Sequence, residues 1–277
     1  MILFKRVGTA FRGIDAREWA LLTLETLGVI AGILIAFELN EWAGRRNEAA
    51  RHAQLMERLF EESEVDVSAL RHTRDIVKEL VAAEKKFAVE LSDGRCPDSS
   101  NWDEVGTVTL LPALGAPTSV YQELTGAGLA SVELQTVRFA LAQFHQSLDW
   151  TQRQVNYFRD SRIKPIELSD PRVRVRFDPS ADEPELWTFD RAALCKDAAF
   201  RNRYAAATRH HFVYGGYVDD LTEDAIIMCA SLGASIGRSC EPKTGGPFGA
   251  RGGPLSAEDA AVARKAAAEV KRELART

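Results

Sequence analysis

Cysteine, basic excess and catalytic motifs are all scarce in this sequence. Four cysteines in 277 residues (Cys96, Cys195, Cys229 and Cys240) are too few for a disulfide-built scaffold, and no two of them form a C-x-x-C pair. Their even number is compatible with an oxidising compartment and no stronger than that. Lys and Arg total 35 against 40 Asp and Glu, and a net charge of -5 argues against a nucleic-acid partner, which calls for a basic face. The one glycine-rich string, TGAGLA at residues 125–130, follows a helical pattern rather than a strand and contains no lysine, so it is no phosphate loop. Nucleophile and dinucleotide motifs are absent. Histidines are few as well: His52 and His72 fall on a charged helix, and His145 lies beside Phe144 as a packed or rim residue. His210 and His211 are adjacent, so on a helix they diverge by about 100° and do not face one metal together. No catalytic, cofactor-binding or metal-ligating residue is assigned, and no cofactor is expected.

What the chain does have is one long apolar run. Residues 19–42, WALLTLETLGVIAGILIAFELNEW, carry only Glu25 and Glu38 as charges before Leu39. A bilayer core needs about twenty mostly apolar helical residues. Trp19 and Trp42 lie roughly 34 Å apart at 1.5 Å per residue, close to the spacing of two membrane interfaces. The run reads as a single transmembrane helix. A cleaved signal peptide is the rival, with Lys5, Arg6, Arg12 and Arg17 as its basic region. The run exits into Glu38, Asn40, Glu41 and Trp42 rather than small residues, which favours an uncleaved anchor. Basic residues flank both ends, so the charge bias is nearly a tie, and the short leading segment puts the larger part outside the cytoplasm.

The remainder reads as all-α. Residues 1–18 are a basic lead, with Phe4, Val7, Phe11 and Ile14 at helical spacing. After Trp42 an amphipathic, coiled-coil-like pattern (Met56, Leu59, Ser63, Val67, Leu70, Val77, Leu80, Phe87, Leu91) continues until Asp93-Gly94 and Pro97. Further helices are expected over residues 119–125, 131–162 and 190–232, and VRVRF at residues 173–177 alternates like a lone strand without a partner. Residues 241–255, rich in Gly and Pro, read as a flexible linker, and residues 256–276 as a narrow-seamed helix that docks weakly or is solvated. The expected architecture is a transmembrane helix (residues 19–42) running into an up-down helical bundle outside the cytoplasm (residues 43–240), then the linker and last helix (residues 241–277). In that layout successive helices alternate direction. A disulfide, if one forms, is expected to join Cys96 to Cys240 or Cys229, leaving Cys195 over.

The span and a second patch resemble a bacterial family of uncharacterised single-pass membrane proteins. In that family a Glu precedes an apolar run, followed by G-I-L-I-A, two residues, an aliphatic and N-x-W. Here these are Glu25, residues 32–36, Leu39, Asn40 and Trp42. The second patch is TSVYQEL at residues 118–124, followed by GAGL at residues 126–129. The likeness covers the first 60 residues and about 25 more, and ends before residue 165; Glu38 stands where the family usually has an uncharged polar residue. The resemblance implies an inner-membrane anchor and a helical domain, and carries no activity.

Three groups in the span are candidate functional residues. Glu25 is a carboxylate inside an apolar helix, suited to proton or partner coupling, or else lying near the interface. Gly28 and Gly32, continued by Ala36, form a small face at G-x-x-x-G spacing that lets two helices approach closely. Trp19, Asn40 and Trp42 are interface anchors. The carboxylates Asp219, Asp220, Glu223 and Asp224 are crowded enough for a cation, although a solvated helix face explains them more simply. The sequence points to a non-catalytic, membrane-anchored scaffold that forms a homo-oligomer or pairs with a membrane-protein partner. A sensor or ion-coupled accessory subunit using Glu25 is the alternative.

Overall fold

A computed structural model of the chain describes residues 16–98, 102, 104–127, 132–177, 179–180, 185–245 and 249–276. The basic lead lies almost wholly outside the described residues. The chain divides into two compact units, Met1–Gln54 and Leu55–Thr277. One helix, α1 (Ala16–Ser92), contributes to both. In the first unit, α1 carries the apolar run, and every residue from 23 to 50 is exposed.

The second unit is mostly helical. Besides the end of α1 it contains α2 (Glu104–Thr107), α3 (Ser119–Ala127), α4 (Gln135–Asp160), α5 (Arg191–Lys196), α6 (Ala198–Ser235) and α7 (Ala257–Leu274). Two short strands, β1 (Val173–Phe177) and β2 (Glu185–Phe189), pair antiparallel with Val173 opposite Phe189 and Val175 opposite Trp187. VRVRF therefore has a partner. Residues 185–189 hide it, because ELWTF alternates no more clearly than a loop.

α1 is the strut on which this unit is assembled. Five successive residues, Asp66, Val67, Ser68, Ala69 and Leu70, are buried, and at 100° per residue that is burial around the whole circumference. Three apolar clusters follow one another along it. Leu59, Phe60 and Leu70 pack with Val137, Leu141 and Phe144 of α4, Leu221 to Leu232 of α6 and Val270 of α7. Val77 and Val81 meet Val155 and Phe158 of α4 and Tyr214 and Val218 of α6. Phe87 and Leu91 meet Trp102, Ile166, Val173, Leu194, Phe200 and Tyr204.

This order gives the helix directions. Rising numbers on α4 accompany rising numbers on α1, so the two run the same way, and α6 runs against both. The connector after Ser92 makes the return stroke itself, fastened midway where the Tyr214 hydroxyl donates to the Pro112 carbonyl at 2.5 Å.

The cysteine expectation fails for this reason. α4 leads back towards the Ser92 end of α1, so Cys195 meets Cys96 (Cα–Cα 5.5 Å), and Cys229 bridges to Cys240 across the end of α6. The expected Cys96–Cys240 pair does not form. No cysteine is free.

The last helix is also better docked than its narrow seam suggests. Ala266 and Val270 are buried, and small side chains let α7 lie close. Arg74 donates two hydrogen bonds to Asp259, at 3.0 and 2.9 Å, tying α7 to α1. The 241–255 segment, expected to be flexible, is held where it is described. Lys243 N–H donates to the Glu64 carbonyl (3.3 Å), and Arg71 donates to the Pro254 carbonyl (3.1 Å). A Cβ at Gly252 would lie 2.4 Å from the Pro242 carbonyl oxygen, so only glycine fits there.

Both disulfides close loops, of separation 99 and 11. Chain-entropy arguments give about 4.7 kcal/mol for a loop near one hundred residues and roughly 2.8 kcal/mol for one near eleven. Cys96→Ala should lower the unfolding midpoint in urea more than Cys229→Ala does. Non-reducing peptide mapping should recover Cys96 with Cys195. Recovery of Cys96 with Cys240 would refute the helix directions.

Candidate functional site

Three places gather chemistry-bearing residues. The first is the apolar segment of α1. Glu25 is exposed there and makes no ion pair among the described residues, and a Cβ at Gly28 or Gly32 meets nothing within 4 Å. Ala36 and Asn40 are exposed too, and the Arg46 guanidinium lies 5.4 Å from the Trp42 ring. Trp19 lies on α1. These residues all lie on one helix.

The second is buried at the α1–α6 seam. His211 Nδ1 lies 2.8 and 3.0 Å from the two carboxylate oxygens of Glu84, and both side chains are fully buried. Nε2 of His211 has no hydrogen-bond partner among the described residues. The void beside it, lined by Thr109, Phe158, Arg162 and His210, measures about 20 Å³, room for a water molecule and no substrate. This pair fastens α1 to α6.

Sequence reasoning misses Glu84 although a signal exists. Glu84 stands three residues after Val81 and three before Phe87, in the apolar register of α1, and His211 stands in the apolar register of α6. Two polar residues at core positions on two long helices are a legible hint of a pair.

The third place is a groove of about 470 Å³ between α4 and α6. Gln143, Gln146 and Trp150 come from α4, and Tyr217, Asp220 and Glu223 from α6. Trp150 and Tyr217 meet edge to face with ring centroids 4.6 Å apart. Ser147 donates to Asp224 at 2.6 Å. The acidic group noted in the sequence is dispersed here, with Asp219 paired to Lys78 at 2.9 Å. Among the described residues no three His, Cys, Asp or Glu converge to hold a metal. His145 lies elsewhere, stacked on Tyr121, where burial pushes its imidazole down to about 4. It is neutral at physiological pH.

Carboxylates do much of the internal fastening. Glu62 of α1 accepts from the Val120 and Tyr121 N–H groups at the start of α3. Glu273 of α7 accepts from Gln135 and Thr136 at the start of α4. Hydrogen bonds from Thr136 hold the Glu273 carboxyl below its usual range. The Arg74 hydrogen bonds lower Asp259 likewise, against the opposing effect of burial. Asp66 goes the other way, pushed well above the carboxylate range by burial and then by the charge of Glu62.

No family model, curated protein or solved structure matches the chain.

Asp66 and Asp259 predict opposite pH behaviour. The raised Asp66 contributes most below its unfolded value near 3.9, and that contribution is lost as pH rises. Asp66→Asn should therefore raise the Tm at pH 8 and leave it nearly unchanged at pH 4. Asp259 is depressed, so its contribution is present above about 3.9 and lost as pH falls through the folded value. Asp259→Asn should lower the Tm at pH 7, by a gap that closes in acid. Reversed signs in a calorimetric pH series would sink the assignments.

For the buried pair, His211→Leu and Glu84→Leu should each cost about 3–5 kcal/mol, and the double variant much less than the sum. Additive losses in urea unfolding would mean the two groups do not act as a pair.

Proposed function

We propose that this chain is a non-catalytic, membrane-anchored helical scaffold, forming a homo-oligomer or pairing with a membrane protein. The observation that carries the reading is the apolar segment of α1. It is the only helix among the described residues long and apolar enough to cross a membrane, its window has mean hydropathy 1.5, and none of that window is buried. Leu24 is 68% and Phe37 67% exposed, along with the Leu, Ile and Val between them. A continuous apolar helix of that kind is costly in water and stable in lipid. The resemblance to single-pass inner-membrane proteins favours the same anchor. The two cystines favour placing the helical domain outside the cytoplasm, since structural disulfides persist in oxidising compartments. The second reading, a sensor or ion-coupled accessory subunit, rests on Glu25, a carboxylate on an otherwise apolar stretch.

The anchor predicts that the full chain sediments with bacterial membranes and resists alkaline carbonate extraction. In intact cells, thiol labelling of a cysteine introduced at exposed Ser92 should occur from outside. Release into the carbonate supernatant would end the anchor reading, and labelling only after lysis would reverse the orientation.

A further inference from the structure

The outward side of α4 is not built like an ordinary solvated helix face. Phe139, Trp150 and Tyr157 are 70, 42 and 61% exposed. Gln143, Gln146 and Arg153 complete their row, and these six residues repeat every seven positions (139/146/153 and 143/150/157), the period of a helix-docking seam. Apart from Arg153 the row is uncharged. Its indole N–H and guanidinium only donate hydrogen bonds, and its phenol and amides can donate them as well as accept.

Beside that row the exposed side of α6 offers the opposite chemistry. Asp220 and Glu223 face outward and, ionised, accept hydrogen bonds only. Gly216 lies one residue from Tyr217, and hence at the level of Trp150. Its neighbour Gly215 has a reason to be glycine, since a Cβ there meets Val77 at 3.3 Å, but a Cβ at Gly216 meets nothing within 4 Å. A mid-helix glycine on an exposed face weakens the helix with no compensation inside the chain.

We propose that the α4–α6 face is an interface with a second copy of this chain, the α4 row of each protomer lying on the α6 row of the other. Charge complementarity selects this arrangement. A two-fold axis across the helices would set α4 on α4 and the acidic row on the acidic row, which repel. An axis along the helices sets donors on acceptors twice. It brings Trp150 of each copy over the partner's gap at Gly216, and it sets the Gln146 and Gln143 amides level with the partner's Asp220 and Glu223, because α4 and α6 run in opposite directions. From Phe139 to Tyr157 the face is roughly 27 Å long, and two helices wide it covers on the order of 500 Å² per protomer. A stable interface uses about 800 Å² per partner. The contact is therefore weak between free molecules, and becomes occupied when both copies share one membrane and the local concentration rises. The inference rests on the anchored, self-associating reading above and gives that association a face.

The test is energy transfer between donor- and acceptor-labelled full-length chains reconstituted in phosphatidylcholine vesicles, with vesicle flotation and thermal unfolding read on the same samples. Wild type should show transfer. Gly216→Gln should weaken it about tenfold or more while the Tm holds or rises, because glutamine is the better helix former. Gln146→Glu should abolish transfer alone, since it sets carboxylate on carboxylate in both seams, and mixing it with Asp220→Arg should restore transfer, since the mixed dimer carries one Glu-on-Arg seam and one native Gln146–Asp220 seam. Wild-type transfer in Gly216→Gln, or no recovery on mixing, overturns the proposal. Transfer lost in Gly32→Leu and unmoved by all three face variants overturns it too, and leaves association through the span standing. Flotation without any wild-type transfer removes self-association and leaves only the anchor.

Discussion

Burial of α1 on every side between Asp66 and Leu70 is the constraint on which the second unit depends. A helix in that position has no solvated face on which to place polar side chains. Every polar group it carries there needs a partner, a neutral state or an adjacent turn. Ser63 and Ser68 donate back to carbonyls of their own helix, Glu64 pairs with Lys243, and Asp66 is driven towards its neutral acid. Where the group stays charged, the answer recruits another part of the chain. Glu241, Lys243 and Gly253 are held because Glu64 and Arg71 need partners, and α7 is docked because Arg74 does.

Two helix starts that take acceptors from another helix follow from the same economy. Leu134, ahead of α4, offers no side-chain acceptor, and the first N–H groups of the helix are satisfied instead by Glu273, more than one hundred residues later in the chain. Glu62 does the same for α3. A carboxylate at a helix N-terminus satisfies orphan donors and complements the dipole wherever in the chain it originates. Supplied from a neighbouring helix, it also fixes the angle between the two.

Much of this is legible in the residues, and the gaps have physical reasons. The apolar run, the 3–4 stepping of α1, α4 and α6, and the openings at Asp190 and Ser256 are local signals, and the elements lie close to where those signals put them, except that Asp197 divides the stretch from residue 190 to 232 into two helices. Periodicity marks which face of a helix is apolar but says nothing of which way the helix runs. The connector from residue 93 to 118 has no period, so its return along α1 leaves no trace, and the cystine pairing inherits that error. β2 is missed because five residues whose partner lies across a turn carry little local preference. The Glu84–His211 pair and the donor-rich row on α4 are visible only as exceptions, polar groups in an apolar register and aromatics outside one.

The Cys96–Cys195 bridge joins the end of the longest helix to the short helix before α6, with α2, α3, α4 and both strands threaded between. A chain emerging from its N-terminus must hold the Cys96 thiol open while 99 further residues arrive, and two more cysteines follow only 11 apart. The near pair closes easily once it appears, whereas the far pair depends on α4 having already turned the chain back. Maturation of this domain is thus a question of timing: the thiol exposed first is the one that waits, and whatever guards it during that interval decides how much of the protein reaches its native pairing.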